Sequence, residues 1–448
     1  FGNTASPFCA QHVLHSHAQS KKELYPEAAD TVDNAMYVDD VLDSRETVPE
    51  AKDLRTQITK LLSEAGFILK KWMSNELKVI EDVPSEDRLP GLQIQNGNVP
   101  TLKTLGVSWQ ADRDTFTFQA EPPPLTELPT KRNVLSSIAK LFDPMQFLSP
   151  FTIRAKIRLQ KIWAAGNEWD EHLPARLNDE WNDWTKELND LIDFEIRRPL
   201  RLPRPIKSWL HTFSDASKDA YAAASYLLCE YEDNPPTARL ITSKTRVAPL
   251  KAVTIPRLEL MGAVLATRLS TNIMKTLNVN VATYCTDSTN VLYWIRNQSR
   301  IFKPFVANRL AEIQRESNPD QWRHIPGEIN PPDLPTRGLS ASELCQSKSW
   351  MCGPDFLINE ERTWPEKLPN NPFSNAAVKE EKKNVETHAT NEADKTTRLD
   401  PSRYSSWTRL VRFTAWIKRF AQNCRAPPEL RDMSCVLRNS ELSDAQTL

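Results

Sequence analysis

Glycine is scarce in this chain, with ten among 448 residues, well below the ~7% usual in soluble domains. Loops that cradle phosphates need glycine where backbone meets anion, and neither a Walker loop nor a GxGxxG occurs. No run approaches the ~18–20 uninterrupted apolar residues of a membrane-spanning helix. No signal-peptide pattern opens the chain, which starts at Phe1 and reads as a piece of something longer. The seven cysteines are scattered and form no CxxC pair. That argues against a disulfide scaffold or a Cys-rich zinc site and for an intracellular, reducing compartment. Charge of one sign is lacking too: 57 Lys and Arg face 58 Asp and Glu, so a uniformly basic coat is excluded while local patches are not. No DTG or DSG triplet marks an aspartic peptidase.

What is present suffices for real cores, since 40% of residues are apolar, and the length suggests about two to four domains. Leu54, Ile58, Leu61, Leu62 and Ala65 recur at helical spacing. Gly66 stops that helix and FILKKW (67–72) reads as a strand. TLGVSW (104–109) is a further strand, and Pro122–Pro124 mark a boundary. Residues 130–166 read as a helical, basic block with seven cations against Asp143 alone, a net of +6. Helical pattern continues over 175–196, and PLRLPRP (199–205) reads as a stiff linker. From 207 the pattern becomes three strands, helix, strand, helices and strand, a mixed α/β domain. Residues 365–402 are polar and read as disordered, and 403–420 as a basic amphipathic helix.

Two groups of carboxylates carry the chemistry. Asp39 and Asp40 lie between apolar residues in MYVDDVL, as at a hairpin tip, where adjacent charges repel unless a cation neutralises them. Asp215 (FSDAS), Glu259 (IPRLEL), Asp287 (YCTDST) and Asp333 (NPPDLPTRG) each sit at the end of an element. Singly, Asp287 reads as a helix N-cap and Glu259 as a first-turn dipole partner. Together, four converging carboxylates require cations, which a two-metal nuclease supplies.

YVDD in its apolar setting resembles the metal-binding hairpin of reverse transcriptases. FGNTASPFCAQ (1–11), AGFILKKWMSN (65–75) and LGVSW (105–109) are similar to the segments around it. TKRNVLSSIAKLFDPMQFLSPF (130–151), WDEHLP (169–174) and WMCGPDFL (350–357) look like the BEL/Pao class of retrotransposons, save that DPMQF lacks the glycine usual after Asp-Pro. The order Asp215, Glu259, Asp287, Asp333 resembles ribonuclease H in retroelement form; an integrase-type nuclease would place its glutamate last. The resemblance implies an α/β and α+β multidomain chain. Its parts would be a partial reverse transcriptase palm (1–120), a helical thumb and connection (121–200), a mixed-sheet ribonuclease H-like domain (207–345), a short segment (346–364), a disordered linker (365–402) and a basic helical segment (403–448) before an absent integrase.

The same resemblance implies two Mg²⁺ ions at Asp215, Glu259, Asp287 and Asp333, and hydrolysis of the RNA strand of RNA–DNA hybrids. It gives Asp39 and Asp40 a polymerase metal role that lacks its third aspartate, so polymerisation by this chain alone is not expected. The rest of the polyprotein is an implied partner, a membrane is not, and a catalytically inactive nucleic-acid-binding remnant is the alternative. Lys131, Arg132, Lys140, Arg154, Lys156 and Arg158, with Lys161, are expected on phosphates; the C-terminal cations Arg403, Arg409, Arg412, Lys418, Arg419 and Arg425 are left open. Ser217 and Ser288 are candidate hydrogen-bond partners of the acids. His324 is expected as a packed strand residue, with Glu328 where a mobile histidine would stand. Trp109, Trp163, Trp181 and Trp184 are expected in cores. Cys9, His12, His15 and His17 have ligand chemistry but no closed-site spacing.

Overall fold

The computed structural model describes residues 4–90, 101–118 except 105, 129–365, 381–382 and 404–446 except 428, 430 and 435. The boundary expected at Pro122–Pro124 and nearly all of the expected 365–402 linker lie outside the described residues. The described residues fall into two compact units, one within 1–383 and one within 384–448.

The first unit begins with α1 (Ser6–Ser20) and α2 (Pro26–Asn34), followed by a hairpin of β1 (Met36–Tyr37) and β2 (Asp40–Val41). Then comes α3 (Val48–Glu64), started by a capping box between Thr47 and Glu50. Leu54, Ile58, Leu61 and Leu62 are buried, the last three against Leu14, Ala18, Ala28, Ala29 and Val32. Gly66, at φ +80°, ends the helix region. The strand expected at 67–72 does not form. Phe67 and Ile68 are exposed, and the segment makes only a single bridge, Trp72 to Arg88. Its apolar letters had no neighbouring strand to pair with.

Gly106, at φ +84°, turns β3 (Leu102–Thr104) into β4 (Val107–Gln110), and β5 (Thr115–Thr117) pairs next. Helices α4 (Lys131–Lys140), α5 (Ser149–Ala164) and α6 (Ala175–Lys186) follow. The helical pattern expected to 196 ends early. After a 3-10 turn at Glu187–Asp193, β6 (Glu195–Arg197) joins β5 and completes a four-stranded antiparallel sheet.

A second sheet of five strands has the order β11-β10-β7-β8-β9. Its members are β7 (Lys207–Ala216), β8 (Ala220–Glu230), β9 (Thr237–Val247), β10 (Ala282–Thr286) and β11 (Trp322–His324). The first three form an antiparallel meander, while β10 runs parallel to both β7 and β11. This is the strand and helix order expected from 207 onward. Strand alternation places Leu210 with α7 (Ile255–Leu277), α8 (Thr289–Ile295) and α9 (Pro304–Glu316). Phe213, on the opposite face, joins α4, α5 and α6 in one core with α11 (Ala341–Gln346) and α12 (Lys348–Cys352), which follow the short α10 (Asp333–Arg337). Trp181, Trp184 and Trp350 are fully buried there. Trp163 is 47% exposed, against expectation, because it forms a surface platform for Lys131, 4.4 Å from its ring centroid. The helical block is therefore no separate arm: its hydrophobic stripe covers one face of the five-stranded sheet.

In the second unit, α13 (Trp407–Arg425) packs on α14 (Asn439–Gln446) through Val411, Ala415, Leu437 and Ala445. Arg419 is buried, donating to Glu441 and to the Ser434 and Val436 carbonyls, so it is not on a solvated face. Among the described residues no helix is long and apolar enough to cross a membrane.

Candidate functional site

Strand β7 carries Asp215 near its C-terminal end, and the parallel neighbour β10 ends one residue before Asp287. Parallel pairing therefore brings the two acids to the same end of the sheet. Helix α7 delivers Glu259 from its first turns. It can lie close because Gly262 has no side chain: a Cβ there would be 2.9 Å from the Asp215 carbonyl oxygen. Asp333 opens α10, which folds back from beyond β11.

Each acid has a local hydrogen-bond donor or is close to one. The Thr336 hydroxyl donates to Asp215 Oδ2 at 2.6 Å, Ser288 Oγ to Glu259 Oε2 at 2.5 Å, and Arg337 Nε to Asp333 Oδ1 at 2.6 Å. Asn330 donates to the Ser214 carbonyl, tying the loop before α10 to β7. Burial pushes the Asp215 carboxyl up to about 6, with Thr336 opposing and Asp287 and Asp333 adding to the rise. Burial likewise pushes Glu259 up to about 7, against the Ser288 hydrogen bond and with the charges of Asp287 and Asp215. Asp287 is raised by burial and by Asp333. Asp215 thus feels Asp287 and Asp333, Glu259 feels Asp287 and Asp215, and Asp287 feels Asp333.

Among the described residues, Asp287 Oδ1 is buried with no hydrogen-bond partner. An orphaned carboxylate oxygen among mutually repelling acids is the chemistry a hard divalent cation satisfies. As the side chains stand, however, no three His, Cys, Asp or Glu among the described residues are close enough to hold a metal ion. The hydroxyl of Thr336, the hydroxyl of Ser288 and the Arg337 guanidinium hold the oxygens a cation would take.

Ser288 meets an acid, whereas Ser217 donates to the Thr336 carbonyl, one step behind Asp215. Thr336 and Asn330 were missed in the sequence; Thr336 lies within the NPPDLPTRG segment, three residues past Asp333. His324 sits half-buried in β11, its imidazole held below the usual range by burial, and Glu328 is exposed.

Asp39 and Asp40 occupy the exposed β1–β2 hairpin, where Val38 takes φ +55° at the turn. No third ligand joins them among the described residues. The same holds for α1: His15 bonds Asp33 and His17 the Leu61 carbonyl, while His12 stacks on Phe8.

The basic block is not the open phosphate face expected of it. Lys131 is buried over Trp163 and Trp169. Arg154 grips Glu187 with both terminal nitrogens, at 2.6 and 2.7 Å, and the Leu339 carbonyl at 3.1 Å. Arg132 pairs with Asp170 and Lys161 with Glu180. Lys156 and Arg158 are half-buried, both held below their usual ranges by burial. Lys140 alone of the six expected phosphate contacts is exposed with no ion pair among the described residues. Packing onto the sheet has turned Lys131, Arg154, Lys156 and Arg158 inward, while Arg132, Lys140 and Lys161 stay exposed.

Comparison with known families finds that residues 130–288 match a family model described as "Pao retrotransposon-like RNaseH-like domain". No curated protein matches the sequence. Among solved structures, the foamy viral protease-reverse transcriptase dRH in complex with double-stranded DNA is 14% identical, with a TM-score of 0.40. The match covers 68% of this chain and 48% of that one. The foamy viral protease-reverse transcriptase with double-stranded DNA is 13% identical over 68% of this chain and 58% of that one, with a TM-score of 0.37. The N-terminal RNase H domain of a Mycobacterium tuberculosis protein, fused to maltose binding protein, is 13% identical over 27% and 83%, with a TM-score of 0.18. The chain thus spans less than two thirds of either foamy viral chain.

Proposed function

We propose, for a chain whose residues 130–288 match the Pao retrotransposon-like RNaseH-like domain model, that the five-stranded domain hydrolyses the RNA strand of RNA–DNA hybrids. The observation that carries this is the meeting of Asp215, Glu259 and Asp287 at one sheet end, with charge suppressed and Asp287 Oδ1 unsatisfied. Asp333, from α10, completes the set. These four residues would hold Mg²⁺, which when bound activates the attacking water and stabilises the leaving 3′ oxygen.

The chain's own residues then have separate tasks. Thr336 fixes the Asp215 carboxylate, Ser288 fixes Glu259, and Arg337 tethers Asp333 until a cation competes for it. Helix α5 and the 3-10 turn after α6 hold α10 through Arg154, so the helical block serves the site from behind. In this reading residues 1–120 are part of a polymerase palm, with Asp39 and Asp40 as two of its metal-binding acids, and the chain by itself does not extend a primer. The inactive-remnant alternative is favoured by one observation, that the acids are engaged by protein donors rather than poised as a ligand group.

The deciding experiment incubates the full chain with an end-labelled RNA–DNA hybrid and Mg²⁺, beside Asp215→Asn. Cleavage confined to the RNA strand and lost in the variant supports the nuclease. Hybrid binding without cleavage at any Mg²⁺ concentration favours the remnant.

A further inference from the structure

On the α7–α9 face of the five-stranded sheet, guanidinium groups gather around one aromatic ring. Phe305 in α9 carries two of them: Arg309 lies 3.6 Å and Arg257 5.0 Å from its ring centroid. Arg309 Nη1 also donates to the Phe305 carbonyl at 3.0 Å. Arg268 in α7 is held by Glu312 at 2.5 and 3.0 Å. Arg246 in β9 is in register with Tyr221 of β8, which pairs with Ala216, the residue after Asp215. Arg246, Arg309 and Arg268 all act on the Tyr221 hydroxyl, and Arg309 is repelled by Arg268 and Arg257. Among the described residues, Glu312 pairs with Arg268 and Glu381 with Arg257.

The second acid comes from far along the chain. Glu381 is buried, with Oε1 2.6 Å from Arg257 Nε, and its carbonyl accepts from Lys303 N at 2.8 Å. Its other oxygen, Oε2, is buried with no partner among the described residues. A carboxylate seated on an arginine with one oxygen unsatisfied is a poor fit for that place; a phosphate, with more acceptors, can engage several guanidiniums at once.

We propose that Arg257, Arg309 and Arg246 grip a phosphodiester of the nucleic-acid strand led to the carboxylates, and that Glu381 is the chain's own occupant of that grip, displaced when the strand binds. Arg257 and Glu259 lie at the same end of α7, on different sides of it, so a strand held by Arg257 runs by the helix end that carries an acid. The proposal rests on the nuclease reading of those acids but is tested by binding, without cleavage.

The test measures binding of the full chain to a fluorescent RNA–DNA hybrid in EDTA across a range of salt. Arg246→Gln and Arg309→Gln should each flatten the slope of log K against log[salt] by about 0.9, one phosphate contact apiece. The affinity gap to wild type should then shrink about three- to fourfold between 50 and 200 mM salt. Arg309→Lys should keep the slope, and Glu381→Gln should tighten binding. Pyrophosphate at matched ionic strength should not compete; if it does, the site takes free phosphates and the strand grip is overturned. Unchanged slopes in Arg246→Gln, whose exposed side chain can be replaced without disturbing the core, overturn the grip. Unaltered affinity in Glu381→Gln overturns its role as occupant. Flattened slopes with no RNA cleavage by wild type in Mg²⁺ would sink the nuclease reading and leave the grip standing.

Discussion

Gly262 and Gly327 both stand where a methyl group has no room, but what each would strike differs. A Cβ on Gly262 meets backbone, the Asp215 and Ala222 carbonyl oxygens at 2.9 and 3.4 Å. Gly262→Ala should push α7 off β7 and β8 and cost about 1–3 kcal/mol, read as a lower thermal midpoint. A Cβ on Gly327 meets only the tip of a side chain, Asp287 Oδ2 at 2.8 Å. Gly327→Ala should leave the midpoint within a degree or so of wild type while hybrid cleavage falls, because it turns Asp287. The opposite pattern, activity kept and stability lost, would mean that Asp287 does not work in its present orientation. At this scale the acids were legible because an aspartate closing an apolar strand is unusual. Thr336 was not, since its value lies in a contact with Asp215 across 121 residues, and one threonine among many gives no local signal.

Elements were legible where periodicity and a partner agreed. The strands from Lys207 to Val247 and helix α7 showed their alternation plainly, and pairing partners follow directly in sequence. FILKKW failed because strand-like composition says nothing of whether an edge is available. The expected phosphate face of 130–166 failed for a related reason: charge count does not reveal which helix face is buried. Arg154 shows the consequence. It links α5 to Glu187, and Glu187 in turn accepts from the Ala341 amide, while a Cβ on Gly338 after α10 would lie 2.5 Å from Arg154 Cγ. Arg154→Ala should therefore destabilise the fold by about 1.5–3 kcal/mol, the usual worth of hydrogen bonds to a charged group. It should reduce cleavage by loosening α10 and leave the salt slope of hybrid binding unchanged. A flattened slope in Arg154→Ala would restore it as a phosphate contact.

For the molecule as a whole, the carboxylate site links stability to pH and to cations. The ordinary values of Asp215 and Glu259, 3.8 and 4.5, rise to about 6 and about 7 in the fold. Folding therefore favours their protonated forms. The stability this contributes is fully present below about pH 4 and lost as pH rises through 7, at roughly 2–3 kcal/mol per group. Asp143, also raised to about 6 by burial, adds the same sign from outside the site. Buried His211, lowered to about 3, has the opposite sign and costs stability as pH falls below 6.5. Both are shared by wild type and an Asp215→Asn/Glu259→Gln variant, so the difference between the two isolates the site. In EDTA the variant should gain on wild type steadily from pH 4.5 to 7.5. Mg²⁺, by pairing with the ionised acids, should raise the wild-type midpoint at pH 7.5, leave it unmoved at pH 4.5, and do neither in the variant. Equal pH profiles for the two proteins would show that these carboxylates carry no buried repulsion, and with it would go the reason for placing cations among them.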